Sequence, residues 1–342
     1  MRITIHDVAR AAGVSVTAVS RALNNKGELS PEKRARVLAA AEQLGYVPSG
    51  VARALVSGQT KTLGVLVTDN TSPVYAEILR GIEEAALGAG FSLLFGNSAD
   101  SQEQALRWLD LVHAKHVDGL LLTPVQTDRR DVERLGAWGI PFVMLLRYFV
   151  DVPCDYVVTD NVLAGYLATR HLVETGHRRI GHVGGPPWTS SGRDRFLGYQ
   201  RALLERSIPL DADLVTCDSF TIGGGARAAE ALLRQPNRPT AIFASTDLQA
   251  VGVLKCARSF GLRVPEDLAL VGGDDIELAE FLEVPLTTFH YPARDIGRIG
   301  AELLIARIQD GMNQVDLERN DRFKRIVVDP KLIVRRSCGC SD

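Results

Sequence analysis

The feature that most constrains the fold is a pair of short helical patterns within residues 4–23 that meet at a single glycine. Thr4 and Ser15 are residue types that cap helix N-termini, and apolar residues follow each of them at helical spacing. Gly13, between the two patterns, supplies the positive φ that a tight turn needs. The exposed side of the second helix carries side chains that hydrogen-bond to phosphates or base edges: Thr17, Ser20, Arg21 and Asn24. The segment therefore predicts a helix-turn-helix, whose second helix has the size to enter a DNA major groove, although an ordinary helical hairpin gives the same bare pattern.

A third helix is predicted after residue 29, because Ser30-Pro31-Glu32 combines an N-cap, a first-turn proline and an acidic first turn. This pattern stops at Gly45, and Tyr46 follows directly. Residues 1–61 carry nine Lys and Arg against four Asp and Glu, whereas the rest of the chain carries 30 against 37. A basic domain of three short helices beside a large acidic domain suits a polyanionic partner for the first segment only.

Taken together, these segments resemble the lactose-repressor (LacI/GalR) family of transcriptional regulators. The resemblance rests on TIHDVARAAGVSVTAVSRALNN, on LSPEKRARVLAAAEQLGYVPSGVARAL, and on further motifs to the end of the chain. It implies a ligand-controlled regulator that binds a pseudo-palindromic site in double-stranded operator DNA as a homodimer. The expected DNA contacts of the headpiece are Thr4, Ser15, Val16, Thr17, Ser20, Arg21, Asn24, Ser30 and Tyr46.

Residues 48–61 predict a short, weakly helical segment followed by a flexible polar joint. An isolated helix of this length is marginal in water, so we expect it to order only on DNA and against a partner copy. In the resembled family this segment is the hinge helix, whose leucine inserts into the minor groove. Leu55 occupies that place and Arg53 lies beside it as a further DNA contact, while a plain linker is the alternative.

From residue 62 onward, apolar runs of strand length alternate with helical stretches. The expected strands are 62–67, 91–95, 117–122, 140–146, 180–184, 240–245 and 268–272, with a further one at about 213–217. The expected helices are about 74–89, 101–114, 161–175, 192–206, 224–234 and 247–259. Apolar strands joined by helices indicate an α/β fold with parallel sheets, and this length indicates two lobes with a ligand cleft at the carboxyl ends of the strands.

The resemblance implies a two-lobed periplasmic-binding-protein-like domain in which the chain crosses between the lobes three times. We expect a headpiece over 1–47, a hinge helix and linker over 48–61, and an effector-binding and dimerisation domain over 62–342. The first lobe is expected to comprise about 62–160 and 292–322, and the second about 161–291 and 323–337. No heptad pattern follows residue 310, so no tetramerising coiled coil is expected.

Arginines, carboxylates and aromatic residues fall at the expected strand ends, a combination that suits a polyhydroxylated ligand. The motifs shared with the family place its effector-contacting positions on Tyr75, Arg147, Arg193, Thr246, Asp274 and Tyr291. Asp247 and Asp275 have an alternative interpretation as helix caps, and Arg195 as the partner of a neighbouring carboxylate. Leu146 stands where the family often has an aspartate before the arginine. The cleft is therefore expected to be more positive than usual, which adds sugar acids and sugar phosphates to the candidate effectors.

Other functional classes have weaker support. Gly223-Gly224-Gly225-Ala226-Arg227-Ala228 matches the dinucleotide pattern G-x-G-x-x-A, but Ser219-Phe220-Thr221-Ile222 separates these glycines from the preceding strand. No catalytic motif was found, so an NAD-dependent sugar-modifying enzyme is only an alternative. A sugar-binding transport protein would need a signal peptide, and residues 1–30 do not show one.

Five scattered cysteines without disulfide spacing indicate reduced thiols in a cytoplasmic protein. Cys338-Gly339-Cys340 could bind a metal only with ligands from elsewhere in the chain, so neither a metal nor a cofactor is expected. No stretch approaches the ~20 apolar residues of a membrane span. The sequence thus predicts a cytoplasmic, ligand-responsive repressor of carbohydrate uptake or breakdown genes.

Overall fold

The computed structural model describes residues 3–23, 29–47, 58–123, 129–149, 152–311 and 323–340. The chain divides into two compact units, Met1–Lys61 and Thr62–Asp342. Most of the predicted hinge falls on residues 48–57, which lie outside the described residues. Among the residues that are described, no helix is long and apolar enough to cross a membrane.

In its described residues, the first unit contains three helices: α1 (Ile5–Ala12), α2 (Val16–Leu23) and α3 (Pro31–Gln43). At the start of α1, the Asp7 carboxylate accepts hydrogen bonds from the backbone N–H of Thr4 at 3.0 Å and from its hydroxyl at 2.7 Å. Gly13 ends the helix with φ 62°, in the left-handed region that favours glycine. One buried valine from each helix joins the core of this unit: Val8, Val19 and Val37. Capping and apolar spacing therefore explain why these residues form three packed helices.

The part of the second unit that the structure describes forms two six-stranded sheets. The strands of the first sheet are β1 (Thr62–Val67), β2 (Ser92–Asn97), β3 (Gly119–Leu122), β4 (Phe142–Leu145), β5 (Asp155–Thr159) and β11 (Arg325–Val328), in the spatial order β11-β5-β4-β3-β1-β2. Those of the second are β6 (Ile180–Gly184), β7 (Val215–Cys217), β8 (Ala241–Ala244), β9 (Ala269–Asp274), β10 (Thr287–His290) and β12 (Lys331–Ile333), in the order β12-β10-β9-β8-β6-β7. The neighbouring strands pair in parallel, except that β12 runs antiparallel to β10.

The helices divide between the sheets. Those that belong with the first sheet are α4 (Pro73–Gly88), α5 (Gln102–Ala114), α6 (Arg129–Trp138) and α12 (Ala293–Gln309). Those that belong with the second are α7 (Asn161–Glu174), α8 (Ser190–Glu205), α9 (Ile222–Leu233), α10 (Asp247–Ser259) and the short α11 (Leu278–Phe281). We call each sheet with its helices the first and the second lobe. The chain crosses between them after β5, after β10 and after β11.

The structure differs from the sequence-based boundaries near the end of the chain. Residues 323–337 were expected in the second lobe, but β11 pairs with β5 in the first, with Val327 beside Val158. Exposed and half-buried residues alternate along β11, as on an edge strand. A strand of four residues with this pattern has too few apolar residues to be recognised from the sequence. Strands β5, β10, β11 and β12 and helices α6 and α12 were likewise absent from the sequence-based elements.

Three helix pairs pack at backbone distance because glycines face each other across them. On α9, a Cβ added to Gly225 would lie 2.2 Å from a carbonyl oxygen of α10, and one added to Gly252 on α10 would lie 2.2 Å from a carbonyl oxygen of α9. The same arrangement joins α7 to α8 and α4 to α12. The glycines of the G-x-G-x-x-A match thus lie inside the first turns of α9, where Gly225 serves helix packing and not a phosphate-binding turn.

Candidate functional site

The second helix of the headpiece presents a polar surface. The side chains of Thr17 and Arg21 are exposed, while Val19 and Ala22 on the opposite side are buried. Ser15 accepts a hydrogen bond from the backbone N–H of Ala18 at 3.2 Å and so begins the helix. This surface has the polar side chains, the helix length and the exposure that reading base edges requires.

Several other expected DNA contacts also cap or pack against the helices of the headpiece. Thr4 caps α1, and Ser30 caps α3 by accepting from the backbone N–H of Lys33 at 3.4 Å. Val16 and Tyr46 are half-buried and pack against the headpiece core. Ser20 is half-buried on α2. The remaining three expected contacts lie outside the described residues: Asn24, Arg53 and Leu55.

A cavity lies between the two lobes, at the carboxyl ends of the strands. Its walls are formed by Thr68, Asp69, Ser72, Val74, Tyr75, Asp100, Leu146, Arg147, Thr159, Asn161, Ser191, Arg195, Phe220, Thr221, Thr246, Leu248, Asp274 and Tyr291. The structure thus brings together five of the six sequence-predicted effector positions: Tyr75, Arg147, Thr246, Asp274 and Tyr291. Parallel sheets carry their ligand sites at this edge, which explains the common location.

The second-lobe wall centres on Asp274, the last residue of β9. Its Oδ1 accepts a hydrogen bond from the Tyr291 hydroxyl at 2.9 Å and lies 3.6 Å from the guanidinium of Arg195. Burial raises the pKa of the Asp274 carboxyl to about 6, although Arg195 and Tyr291 act to lower it. Asp274 also has φ 107°, a strained conformation for a residue with a Cβ. A ligand that donates hydrogen bonds to this buried carboxylate would stabilise its charged form.

Arg195 is fixed by contacts on several sides. Its Nε donates to Oδ1 of Asn161 at 2.8 Å, and its Nη1 donates to the carbonyl of Ser245 at 2.7 Å. The guanidinium also lies over the ring of Phe289, 4.9 Å from the centroid. A buried guanidinium held in this way is preorganised, because ligand binding does not have to order it.

The first-lobe wall combines an arginine with a buried phenol. Arg147 is buried, lies 3.4 Å from Oδ1 of Asp100, and reaches across to the ring of Phe220 at 5.5 Å from its centroid. The Tyr75 hydroxyl shares a hydrogen bond with that of Thr68 at 2.5 Å. Burial raises the pKa of the Tyr75 phenol, so the hydroxyl stays protonated and can donate. The two lobes therefore face each other with polar groups on both sides of the cavity.

Arg193, the sixth expected effector contact, does not line the cavity. Its Nε donates to Asp194 at 2.8 Å and its Nη2 to the hydroxyl of Tyr148 at 3.2 Å, and that hydroxyl donates to Asp194 at 3.0 Å. Residues two apart on a helix point in nearly opposite directions, so only Arg195 faces the cavity. Tyr148 belongs to the first lobe, so Arg193 contributes to a contact between the lobes instead.

Sequence reasoning missed Arg195 as a cavity residue, although a signal for it was present. Tyr199 and Ala202 lie one and two turns beyond Arg195 and are buried, whereas Arg193 is in phase with the exposed Leu197. The helical phase of α8 therefore distinguishes the two arginines. Asn161 and Phe220 carried no comparable signal: Asn161 is the first residue of α7 and Phe220 lies on the connection before α9, and only the fold brings both to the cavity.

The carboxylates with alternative interpretations have structural roles. Helix α10 is capped by Thr246, whose hydroxyl accepts from the backbone N–H of Gln249 at 3.2 Å. Asp247 is instead the first helical residue; it accepts from the Thr288 hydroxyl at 2.6 Å and from the backbone N–H of residue 276 at 2.9 Å. Asp275 pairs with Arg335 at 2.8 Å and caps no helix. These contacts tie α10 to the strands whose ends form the cavity.

The headpiece and the cavity together define a class of protein. A helix-turn-helix with a polar second helix precedes a two-lobed α/β domain whose buried polar cavity lies between the lobes. This is the architecture of a DNA-binding transcriptional regulator controlled by a small ligand.

Comparisons with known proteins give the family. Residues 4–49 match the model for bacterial regulatory proteins of the lacI family, and residues 169–338 match that for the periplasmic binding protein-like domain. The ribose operon repressor of Haemophilus influenzae is 34% identical over 335 residues, 98% of each chain. The transcriptional repressor PurR of Photobacterium profundum is 33% identical over 335 residues, again 98% of each. The lac repressor dimer bound to operator and the anti-inducer ONPF has a TM-score of 0.85 at 26% identity, covering 99% of both chains. The chain belongs to the lacI family, which confirms the resemblance and the fold class predicted from the sequence and places it among transcriptional repressors, not enzymes.

Proposed function

We propose that this protein represses genes of carbohydrate uptake or breakdown and that a neutral sugar in the interlobe cavity controls its binding to DNA. The observation that carries the proposal is the buried cluster of Asp274, Arg195 and Tyr291. It offers a carboxylate acceptor and a guanidinium donor at fixed positions, and vicinal hydroxyls pair with both. The relative named as a ribose operon repressor supports a sugar as the class of effector.

The charge of the cavity favours a neutral sugar over a sugar acid or sugar phosphate. Its walls include three carboxylates, Asp69, Asp100 and Asp274, but only two guanidinium groups, Arg147 and Arg195. Asp100 lies beside Arg147, where the sequence had indicated a missing carboxylate. The expected excess of positive charge is therefore absent from these walls. An anionic ligand would add a further negative charge to a buried site that is already acidic.

Sugar binding would control DNA binding through closure of the lobes. Arg147 contacts Phe220 across the cavity, and Tyr148 contacts α8 through Asp194 and through Ser190, whose Oγ accepts from the Tyr148 backbone N–H at 3.0 Å. A ligand that bridges both walls stabilises the closed arrangement over a more open one. The coupling between ligand and DNA is then a free energy of about 1–3 kcal/mol, as is usual for such switches.

On the DNA side, the proposal is a homodimer that reads two half-sites with α2. Thr17 and Arg21 are exposed in the position that base readout requires. The proposal for Leu55 and Arg53 rests on the sequence alone, since both lie outside the described residues. Because operator DNA lies in the bacterial cytoplasm, the protein would act there.

A thermal-shift screen tests the effector class. Neutral mono- and disaccharides, sugar acids, sugar phosphates and nucleobases are added to the full-length protein, and the stabilising compounds are titrated in a DNA-binding assay with selected operator fragments. We expect a neutral sugar to stabilise the protein, by roughly 2.7 kcal/mol at 100 times its dissociation constant, and to change its affinity for DNA.

Two variants and a matched control locate the site. Asp274→Asn and Tyr291→Phe should each weaken the effect of the sugar at least tenfold while DNA binding without ligand is kept. Asp275→Asn changes the adjacent carboxylate, which lies outside the cavity wall, and should respond like the wild type. Stabilisation by nucleobases alone, or an unchanged response in Asp274→Asn, would contradict the proposal.

A further inference from the structure

The last described residues of the chain form a thiol pair beside a histidine. Cys338 and Cys340 flank Gly339, and His171 lies in the last turn of α7. Sγ of Cys340 is 3.6 Å from Nε2 of His171, and the ligand atoms of all three residues lie within 4.8 Å of one another. Both cysteines are free thiols. None of the three residues lines the effector cavity.

The tail that carries the thiols is held in place before any ion binds. Ser337, next to Cys338, is fully buried. Its hydroxyl donates a hydrogen bond to the carbonyl oxygen of Leu270 at 2.6 Å, and its backbone N–H donates one to the carbonyl oxygen of Pro285 at 3.0 Å. Gly339 has φ 82°, a left-handed turn that brings both thiols to the same side of the chain. The cluster is therefore built by the fold and not by chance contacts of a loose terminus.

The spacing of the ligand atoms fits a tetrahedral ion with soft ligands. With Zn–S of about 2.3 Å and Zn–N of about 2.0–2.1 Å, tetrahedral geometry places a sulfur and a nitrogen ligand about 3.6 Å apart and two sulfurs about 3.8 Å apart. The Cys340–His171 pair already has that separation. The sulfur–sulfur pair needs to close by no more than about 1 Å, and the Cys338–His171 pair by no more than about 1.2 Å, to reach these separations.

We propose that His171, Cys338 and Cys340 bind one Zn²⁺ ion per chain, with a water molecule in the fourth position. Two thiolates and an imidazole are ligands that zinc prefers. On binding, each thiol releases its proton to solvent, and the ion joins the end of the chain to α7 within the second lobe. His171 and Cys340 are half-buried, so the ion reaches the site from solvent, while Cys338 is buried behind them.

Cobalt substitution tests the site directly. Full-length protein is purified with a phosphine reductant, freed of metal with a chelator, and titrated with Co²⁺ while the near-ultraviolet and visible spectra are recorded. We expect thiolate-to-cobalt charge transfer and the strong visible bands of a tetrahedral site, saturating at one ion per chain. Zn²⁺ should then displace the cobalt and protect the half-buried Cys340 thiol from a thiol reagent.

Variants decide whether these three residues are the ligands. Cys340→Ser and His171→Gln change half-buried positions, so folding should be kept while Co²⁺ affinity falls at least tenfold. Cys217→Ser removes an exposed thiol outside the cluster and should bind cobalt as the wild type does. Asp274→Asn should also keep the metal, which separates this site from the proposed effector cavity. No charge-transfer band in the reduced wild type, or an unchanged titration in Cys340→Ser, overturns the proposal.

Discussion

Protonation of Asp274 should change both the stability of this protein and its affinity for its effector. Burial raises the pKa of its carboxyl from 3.8 to about 6 in the folded chain, against the lowering effect of Arg195 and Tyr291. The folded chain thus holds this proton about 2 pKa units more tightly than the unfolded chain, which is worth about 3 kcal/mol. This stabilisation is complete below pH 3.8 and is lost as the pH rises through 6.

Replacing Asp274 by asparagine removes the titration. Between about pH 7.5 and about pH 5, the free energy of unfolding of the wild type should therefore rise relative to that of Asp274→Asn by about 1.4 kcal/mol. Urea unfolding of the ligand-free proteins at several pH values measures this difference. Over the same range the wild type should lose affinity for a hydroxyl-donating effector roughly tenfold, because the protonated carboxyl no longer accepts the bonds.

Two results would refute this reasoning. Parallel stability profiles for wild type and Asp274→Asn would show that the carboxyl does not titrate near pH 6. An effector affinity that rises on acidification would show that the ligand prefers the protonated carboxyl. The control Asp275→Asn should keep the acid-dependent difference of the wild type, since that side chain pairs with Arg335 outside the cavity.

Three further predictions concern other parts of the chain. Burial among aromatic rings lowers the pKa of His182 to about 4. Acidification from pH 6.5 to 4 should therefore lower the free energy of unfolding of the wild type by about 3 kcal/mol relative to that of His182→Phe, as urea unfolding of both proteins would show. Gly225→Ala should destabilise the protein by about 2 kcal/mol or more in thermal unfolding, since its Cβ would lie 2.2 Å from a backbone oxygen, whereas Gly223→Ala in the same helix meets nothing closer than 3.5 Å and should be neutral or stabilising. Arg21→Ala and Thr17→Ala should each weaken specific operator binding by about 1–3 kcal/mol in an anisotropy titration. Wild-type specificity in the double variant would contradict the assignment of α2 to the major groove.

Local chemistry explains most of what the sequence predicted. The headpiece helices begin at Thr4, Ser15 and Ser30 because capping is a property of a few neighbouring residues, and the apolar strands of both lobes were recognisable for the same reason. Five cavity positions came from the motifs shared with the family, and they lie together because the carboxyl ends of parallel strands meet at one edge.

What the sequence did not predict depends on distant parts of the chain. The lobe of β11 is decided by its pairing with β5, more than 160 residues earlier. His171 and Cys338 are equally far apart, so no local spacing indicates that they meet. The choice between Arg193 and Arg195 needed only the phase of one helix, and there the signal was present in the chain.

The facing glycines of the helix pairs have a consequence for how this protein can acquire new specificity. Where two helix backbones touch, any side chain larger than that of glycine would clash. The glycines between α4 and α12, α7 and α8, and α9 and α10 therefore tolerate little substitution. Ten of the eighteen residues of the cavity walls, in contrast, lie on connections between strands and helices, which such folds vary freely. Evolution, or a designer of biosensors, can therefore retarget the protein to another small molecule by editing those connections while the frame that carries them stays unaltered.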